Sequence, residues 1–136
     1  IVVGGDVWNG ANNDFALARY TATGATDTTF GTSGTVTTAI GSGNENAYAL
    51  GIQTDGKIVV AGFYYNGPVP NFALARYNTN GTLDSTFGSS GTVTTALGNG
   101  WNLIYALGIQ ADGKIVVAGY ANNGANNDFA LARYWP

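Results

Sequence analysis

The chain contains no cysteine, no histidine and no methionine. Disulfides, thiolate nucleophiles and Cys/His zinc sites are thereby excluded, and so is the commonest general base. An enzyme built from this sequence would have to work with Asp, Glu45, Lys, Tyr, Ser or Thr. Charge is scarce as well: 5 basic and 8 acidic residues among 136, for a net charge of −3. So few cations cannot form a patch that neutralises phosphates, so neither nucleic acid nor an anionic membrane is an expected partner. No apolar run approaches the length of a spanning helix, and membrane insertion is not expected either. The lack of oxidisable sulfur, in a chain rich in Thr, Asn, Gly and Tyr, suits the outside of a cell. Length alone allows at most one domain.

What is present is a repeat. "IVVGG" at 1–5 returns as "IVVAG" at 58–62 and 115–119. "FALARY" stands at 15–20, 72–77 and 129–134, and "YALGIQ" at 48–53 and 105–110. Every offset is 57 residues, without insertion or deletion, and about 35 of the first 57 residues match their partners one period on. That level of identity makes the repeat the unit to be explained. It divides the chain into 1–22, a half repeat, and two full repeats at 23–79 and 80–136.

One period reads as four strands, with no helical period anywhere. In the last repeat they are strand a at Thr92–Leu97, b at Ile104–Gln110, c at Lys114–Tyr120 and d at Phe129–Tyr134. The Asp-Gly between b and c and the Asn-Gly between c and d are hairpin-turn chemistry. Within strand b, Tyr48, Leu50 and Ile52 alternate with Ala49 and Gly51; within strand d, Phe72 and Leu74 alternate with Ala73 and Ala75. Each sheet is therefore expected to carry a bulky face and a small-residue face, stacked bulky on small. The fold class is all-β: tandem four-stranded antiparallel meanders packed as β-propeller blades. The same patterning permits an open β-solenoid or a linear stack of sheets. Ten strands make two and a half blades, too few to close a ring, so a segment of a longer array is expected. By period, the residue before Ile1 would be a lysine, like Lys57 and Lys114, and a protease cutting after lysine would leave this start.

The order "DGKIVVAGY", "NDFALARY", "GTLDSTFG" and "GTVTT" resembles the bacterial delta-60 repeat, a domain of unknown function classed with β-propellers. The resemblance spans essentially the whole chain. It implies propeller-like blades in a large secreted or surface-attached bacterial protein, and it brings no catalytic residue with it. The middle copy departs at 68–72, where "PVPNF" replaces the "ANNDF" of the other two.

Two sets of residues are candidates for a role. The first is stamped into every repeat: Arg19, Arg76 and Arg133, each the arginine of a FALARY copy. A charge so repeated reads as scaffold, with Asp27 expected to pair with Arg19, and Asp84 with Arg76, at the following bend. The second lies where the copies disagree, in the a–b loops at 41–47 and 98–104 and in the c–d loops. In an up-and-down meander these turns share one rim, which would present Trp8, Tyr64, Tyr65 and Trp101 beside Asn44, Glu45 and Asn102. Aromatics beside amides and a carboxylate suit a glycan or a protein surface, although variable loops also drift when nothing constrains them. "NNGANND" at 122–128 offers oxygen ligands without a calcium-loop spacing, so no metal and no cofactor is expected. Asn80-Gly81-Thr82 matches a glycosylation sequon but is explained as a turn. The expected function is a non-enzymatic structural or interaction module at the cell surface or beyond it. Its expected partners are further repeats or copies of itself, and the alternative is a lectin-like binder.

Overall fold

A computed structural model describes all residues from Ile1 to Pro136 and contains ten strands and no helix. In chain order they are β1 (Val2–Trp8), β2 (Asn13–Arg19), β3 (Thr35–Thr38), β4 (Glu45–Ile52) and β5 (Ile58–Asn66). They continue as β6 (Val69–Tyr77), β7 (Thr92–Thr95), β8 (Asn102–Ile109), β9 (Ile115–Asn122) and β10 (Asn127–Tyr134). The four strands expected of the last repeat are all present, with ends displaced by at most two residues.

The strands pair antiparallel into three sheets: β1-β2-β3, β4-β5-β6-β7 and β8-β9-β10. This grouping is out of step with the sequence repeats. Strand a does not join its own b, c and d; it completes the sheet of the repeat before, so β3 lies on β2 and β7 on β6. The reason is a folded-back link after each FALARY run. Asp27 N–H donates to Arg19 C=O and Arg19 N–H to Gly34 C=O, which sets Thr35 beside Ala18. Asp84, Arg76 and Gly91 repeat the arrangement and set Thr92 beside Ala75. The segments after β3 and β7 then cross to the next sheet.

The three sheets stack face to face without closing into a ring. They approach most closely at β1, β4 and β8, since β4 lies against both of the others. Two apolar seams result. In the first, Phe15, Leu17 and Phe30 pack on Ile58, Val60, Ala73 and Ala75. In the second, Phe72, Leu74 and Phe87 pack on Ile104, Ile115, Val117 and Ala130. Large does sit on small, but not with one bulky and one small face per sheet. In the middle sheet, Phe72 and Leu74 point to the third sheet while Leu50 points back, where its Cδ1 covers Gly4. Leu107 and Ile109 of β8 cover Gly51 in the same way, so a methyl on Gly51 would lie 2.6 Å from Leu107. Bulk thus changes sides between strands b and d, and each sheet keeps an even thickness for its neighbours.

A bulge in β4 and another in β8 alter the alternation. Pairing of β4 with β5 skips Tyr48, and pairing of β8 with β9 skips Tyr105. The extra residue carries Tyr48 out of the row of Leu50 and Ile52 and against Phe63.

Candidate functional site

The loops divide between two rims as the meander requires. At one end the a–b loop meets the c–d turns: Asn44 Oδ1 accepts from Asn13 N–H at 2.9 Å, and Asn44 C=O accepts from Tyr65 N–H at 2.9 Å. Trp101 C=O accepts from Asn122 N–H in the same manner. At the other end Gln53 reaches Gly113 between b–c turns, and Gly31 N–H donates to Asn80 C=O between d–a links. All five cations belong to this second end; Asp14, Glu45 and Asp128 belong to the first, which has no Lys or Arg.

At the cationic rim two of the three FALARY arginines are clamped. Arg76 Nε donates to Asp84 Oδ2 at 2.8 Å, its guanidinium lies 4.6 Å from the Phe87 ring centre, and Lys57 Nζ approaches the same Asp84 oxygen at 3.0 Å. Asp84 also accepts from the Thr86 hydroxyl. That bond above all, with Lys57 and Arg76 beside it, holds the carboxyl well below its ordinary range. Arg19 repeats the pattern with Asp27, Thr29 and Phe30, and Thr29 chiefly lowers the Asp27 carboxyl. Arg133 is exposed and makes no ion pair. Asn80 Oδ1 accepts from Thr82 N–H and hydroxyl, so the sequon residues close a turn.

The residues expected on the variable rim separate into three groups. Trp101 is half exposed and meets Tyr65 edge-on, with ring centres 6.4 Å apart. Trp8 is exposed at the end of β1 and pairs with no other ring, while Tyr64 lies on the opposite face of β5, partly buried in the first seam. Asn44 is exposed, but Glu45 and Asn102 are fully buried at the starts of β4 and β8. Glu45 Oε1 accepts from Gly41 N–H at 2.9 Å, whereas its Oε2 and Asp14 Oδ1 have no partner. Burial pushes the Glu45 carboxyl up, and the like charge of Asp14 adds to this. Asn102 donates to Asn71 Oδ1 at 3.2 Å in the corresponding place of the second seam.

The two bulge tyrosines lie outside the residues expected on the variable rim. Tyr48 and Tyr105 are each about half exposed, with ring centres 5.6 Å apart, and Tyr105 meets Tyr120 at 5.9 Å. Through Phe63 the row joins Tyr65 and Trp101, giving six rings in contact along the rim and the closely approaching first strands. Their repetition at "NAYAL" and "LIYAL" was visible, but alternation assigned them to a packed face.

Three antiparallel sheets stacked face to face, with no helix, define an all-β protein of stacked sheets. A family model described as "Domain of unknown function (DUF5122) beta-propeller" matches residues 1–30, 53–87 and 110–136. Those segments make up more than half of the chain, and the chain belongs to that family; the delta-60 resemblance is consistent with it. No curated protein matches the chain. Both arginine clamps fall inside the matched segments, and both a–b loops fall outside them.

Proposed function

We propose that the chain is a non-enzymatic structural and interaction module of a secreted or cell-surface bacterial repeat protein. Its blades, one per 57-residue period, form a stiff body that displays the loops of one rim. The observation that carries this reading is the division between rims: repeated charges tie each FALARY strand to the following bend at one end, and the a–b loops at the other fall outside the family-matched segments. The chain is expected to turn over none of a set of chromogenic glycoside, ester and phosphate substrates. Turnover that disappears in Glu45→Gln, with the fold retained, would overturn the reading.

A second reading is favoured by the half-exposed rings of Tyr48, Tyr105 and Trp101, which offer apolar surfaces beside exposed amides. Such surfaces suit stacking against sugar rings. On a glycan array, binding that is lost in Trp101→Ala and weakened in Tyr105→Ala supports a lectin-like role. An array with no bound glycan sinks it.

A further inference from the structure

The first seam contains a pair of buried acids to which the molecule brings no cation. Asp14, at the start of β2, is 5% exposed, and Glu45, the first residue of β4, is fully buried. Each keeps one oxygen, Asp14 Oδ1 and Glu45 Oε2, that is shielded from solvent and has no hydrogen-bond donor. Their other oxygens are already held: Asn9 Nδ2 donates to Asp14 Oδ2 at 2.9 Å, and Gly41 N–H donates to Glu45 Oε1. The two carboxyls act on each other, since the charge of Asp14 helps to push the Glu45 carboxyl up. No Lys or Arg relieves them, because all five lie at the opposite rim.

The second seam shows the same two places without charge. One period on they are Asn71 and Asn102, and Asn102 Nδ2 donates to Asn71 Oδ1 at 3.2 Å. The joint thus brings the two side chains within reach of each other, and amides fill it. Carboxylates at both places remove that donor and add two negative charges. Buried charges in proteins are paired or coordinate metals, because an unpaired one is strongly unfavourable away from water.

We propose that Asp14 Oδ1 and Glu45 Oε2 together bind one hard divalent cation, with calcium the fitting member of that class. Two carboxylates neutralise its charge inside the fold. Calcium accepts flexible, oxygen-only coordination, whereas magnesium dehydrates reluctantly and suits so enclosed a place poorly. The loop at 41–44 is strapped across this end of the seam: Asn12 Nδ2 donates to Gly43 C=O, and Asn13 N–H to Asn44 Oδ1. The ion would therefore fasten the a–b loop to the c–d turn of the first sheet and stiffen that rim. This site goes beyond the display of loops and does not depend on it.

The test is calcium chloride added at neutral pH to chain stripped with EDTA, read by titration calorimetry and thermal unfolding. Magnesium chloride, and sodium chloride of equal ionic strength, are the comparisons. The wild type is expected to bind one calcium ion per chain, with a saturable rise in melting temperature that neither comparison salt reproduces. Asp14→Asn combined with Glu45→Gln rebuilds the amide pair of the second seam, so the fold is expected to survive, as circular dichroism checks. That variant should bind no calcium and show no rise, while being at least as stable as the metal-free wild type. A wild type without a calcium response overturns the proposal and leaves a shared proton as the occupant of the pair. A response that persists in the double variant overturns it too, by placing the ion elsewhere, such as the Asn-rich turn at 122–128. Neither result bears on the display of loops.

Discussion

The two seams are the same joint built twice, and they differ in how polar groups are handled. In the second seam, Asn102 and Asn71 meet as neutral amides, and only Asn102 Oδ1 is left without a partner. In the first, the same two places hold Glu45 and Asp14, both buried, with one oxygen of each unpartnered. At the other rim the contrast runs in the opposite sense. The Arg76–Asp84 pair is buried and shared with Lys57, whereas Arg19–Asp27 is about a quarter exposed and has no lysine. A repeat thus fixes which positions meet, while the price of each meeting is set by local burial. The apolar contacts tolerate this because Phe, Leu and Ala occupy the same places in both seams.

The largest difference is expected between the two arginines. Arg76→Ala removes a buried charge-assisted hydrogen bond from Asp84, which keeps Lys57 and Thr86, and should cost about 1.5–3 kcal/mol; Arg19→Ala, at a partly solvated pair, should cost about 1 kcal/mol or less. Urea unfolding of both variants measures this, and equal losses would mean that burial does not set the strength of the clamp.

The acid pair comes next. Glu45→Gln should raise stability at neutral pH by about 1 kcal/mol, by relieving a buried oxygen without a partner. The two seams also impose opposite pH slopes. Asp84 is lowered in the fold, so its contribution is present above its ordinary value of 3.8 and fades as pH falls below it. Glu45 is raised, so the fold favours its protonated form. Stability is lost as pH rises from 4.5, its ordinary value, through the raised one. Unfolding free energy is therefore expected to peak near these two values and to decline toward neutrality, and Glu45→Gln should flatten the upper limb. An upper limb unchanged in that variant would remove Glu45 as its cause.

The smallest difference concerns the tyrosines that end FALARY. Tyr77, fully buried, donates to Thr38, and burial pushes its hydroxyl up to about 12; Tyr134 donates to Thr95 from a half-buried position. Tyr77→Phe should cost about 1 kcal/mol and Tyr134→Phe roughly half of that, as read by thermal unfolding. A larger loss at Tyr134 would show that the second seam, not the first, depends on its tyrosine.

Strand identity and the all-β class were legible because "IVV", "FALARY" and the Asp-Gly turns state them locally. The arginine–aspartate clamps were legible because both members recur at one spacing. The sheet that receives strand a was not, since "GTVTT" fits either edge; the choice is made by the link from Tyr20 to Gly34 folding back on Arg19. The bulges were hidden because an unpaired residue leaves the sequence alternation intact. Glu45 and Asn102 were misplaced on the surface for a related reason. A polar residue beside a variable loop looks solvated until the neighbouring sheet covers it.

Strands β3 and β7 have a mechanical meaning beyond their hydrogen bonds. Each belongs to one sheet, while the chain that leaves it begins the next. Pulling the first and second sheets apart therefore loads the short segment between Thr38 and Glu45, which lengthens by unzipping β3 from β2 or the start of β4 from β5. The β3–β2 zipper is anchored at its far end by the Arg19–Asp27 clamp. The stack is a row of plates joined by straps, so tension across a seam passes to the strands that border it.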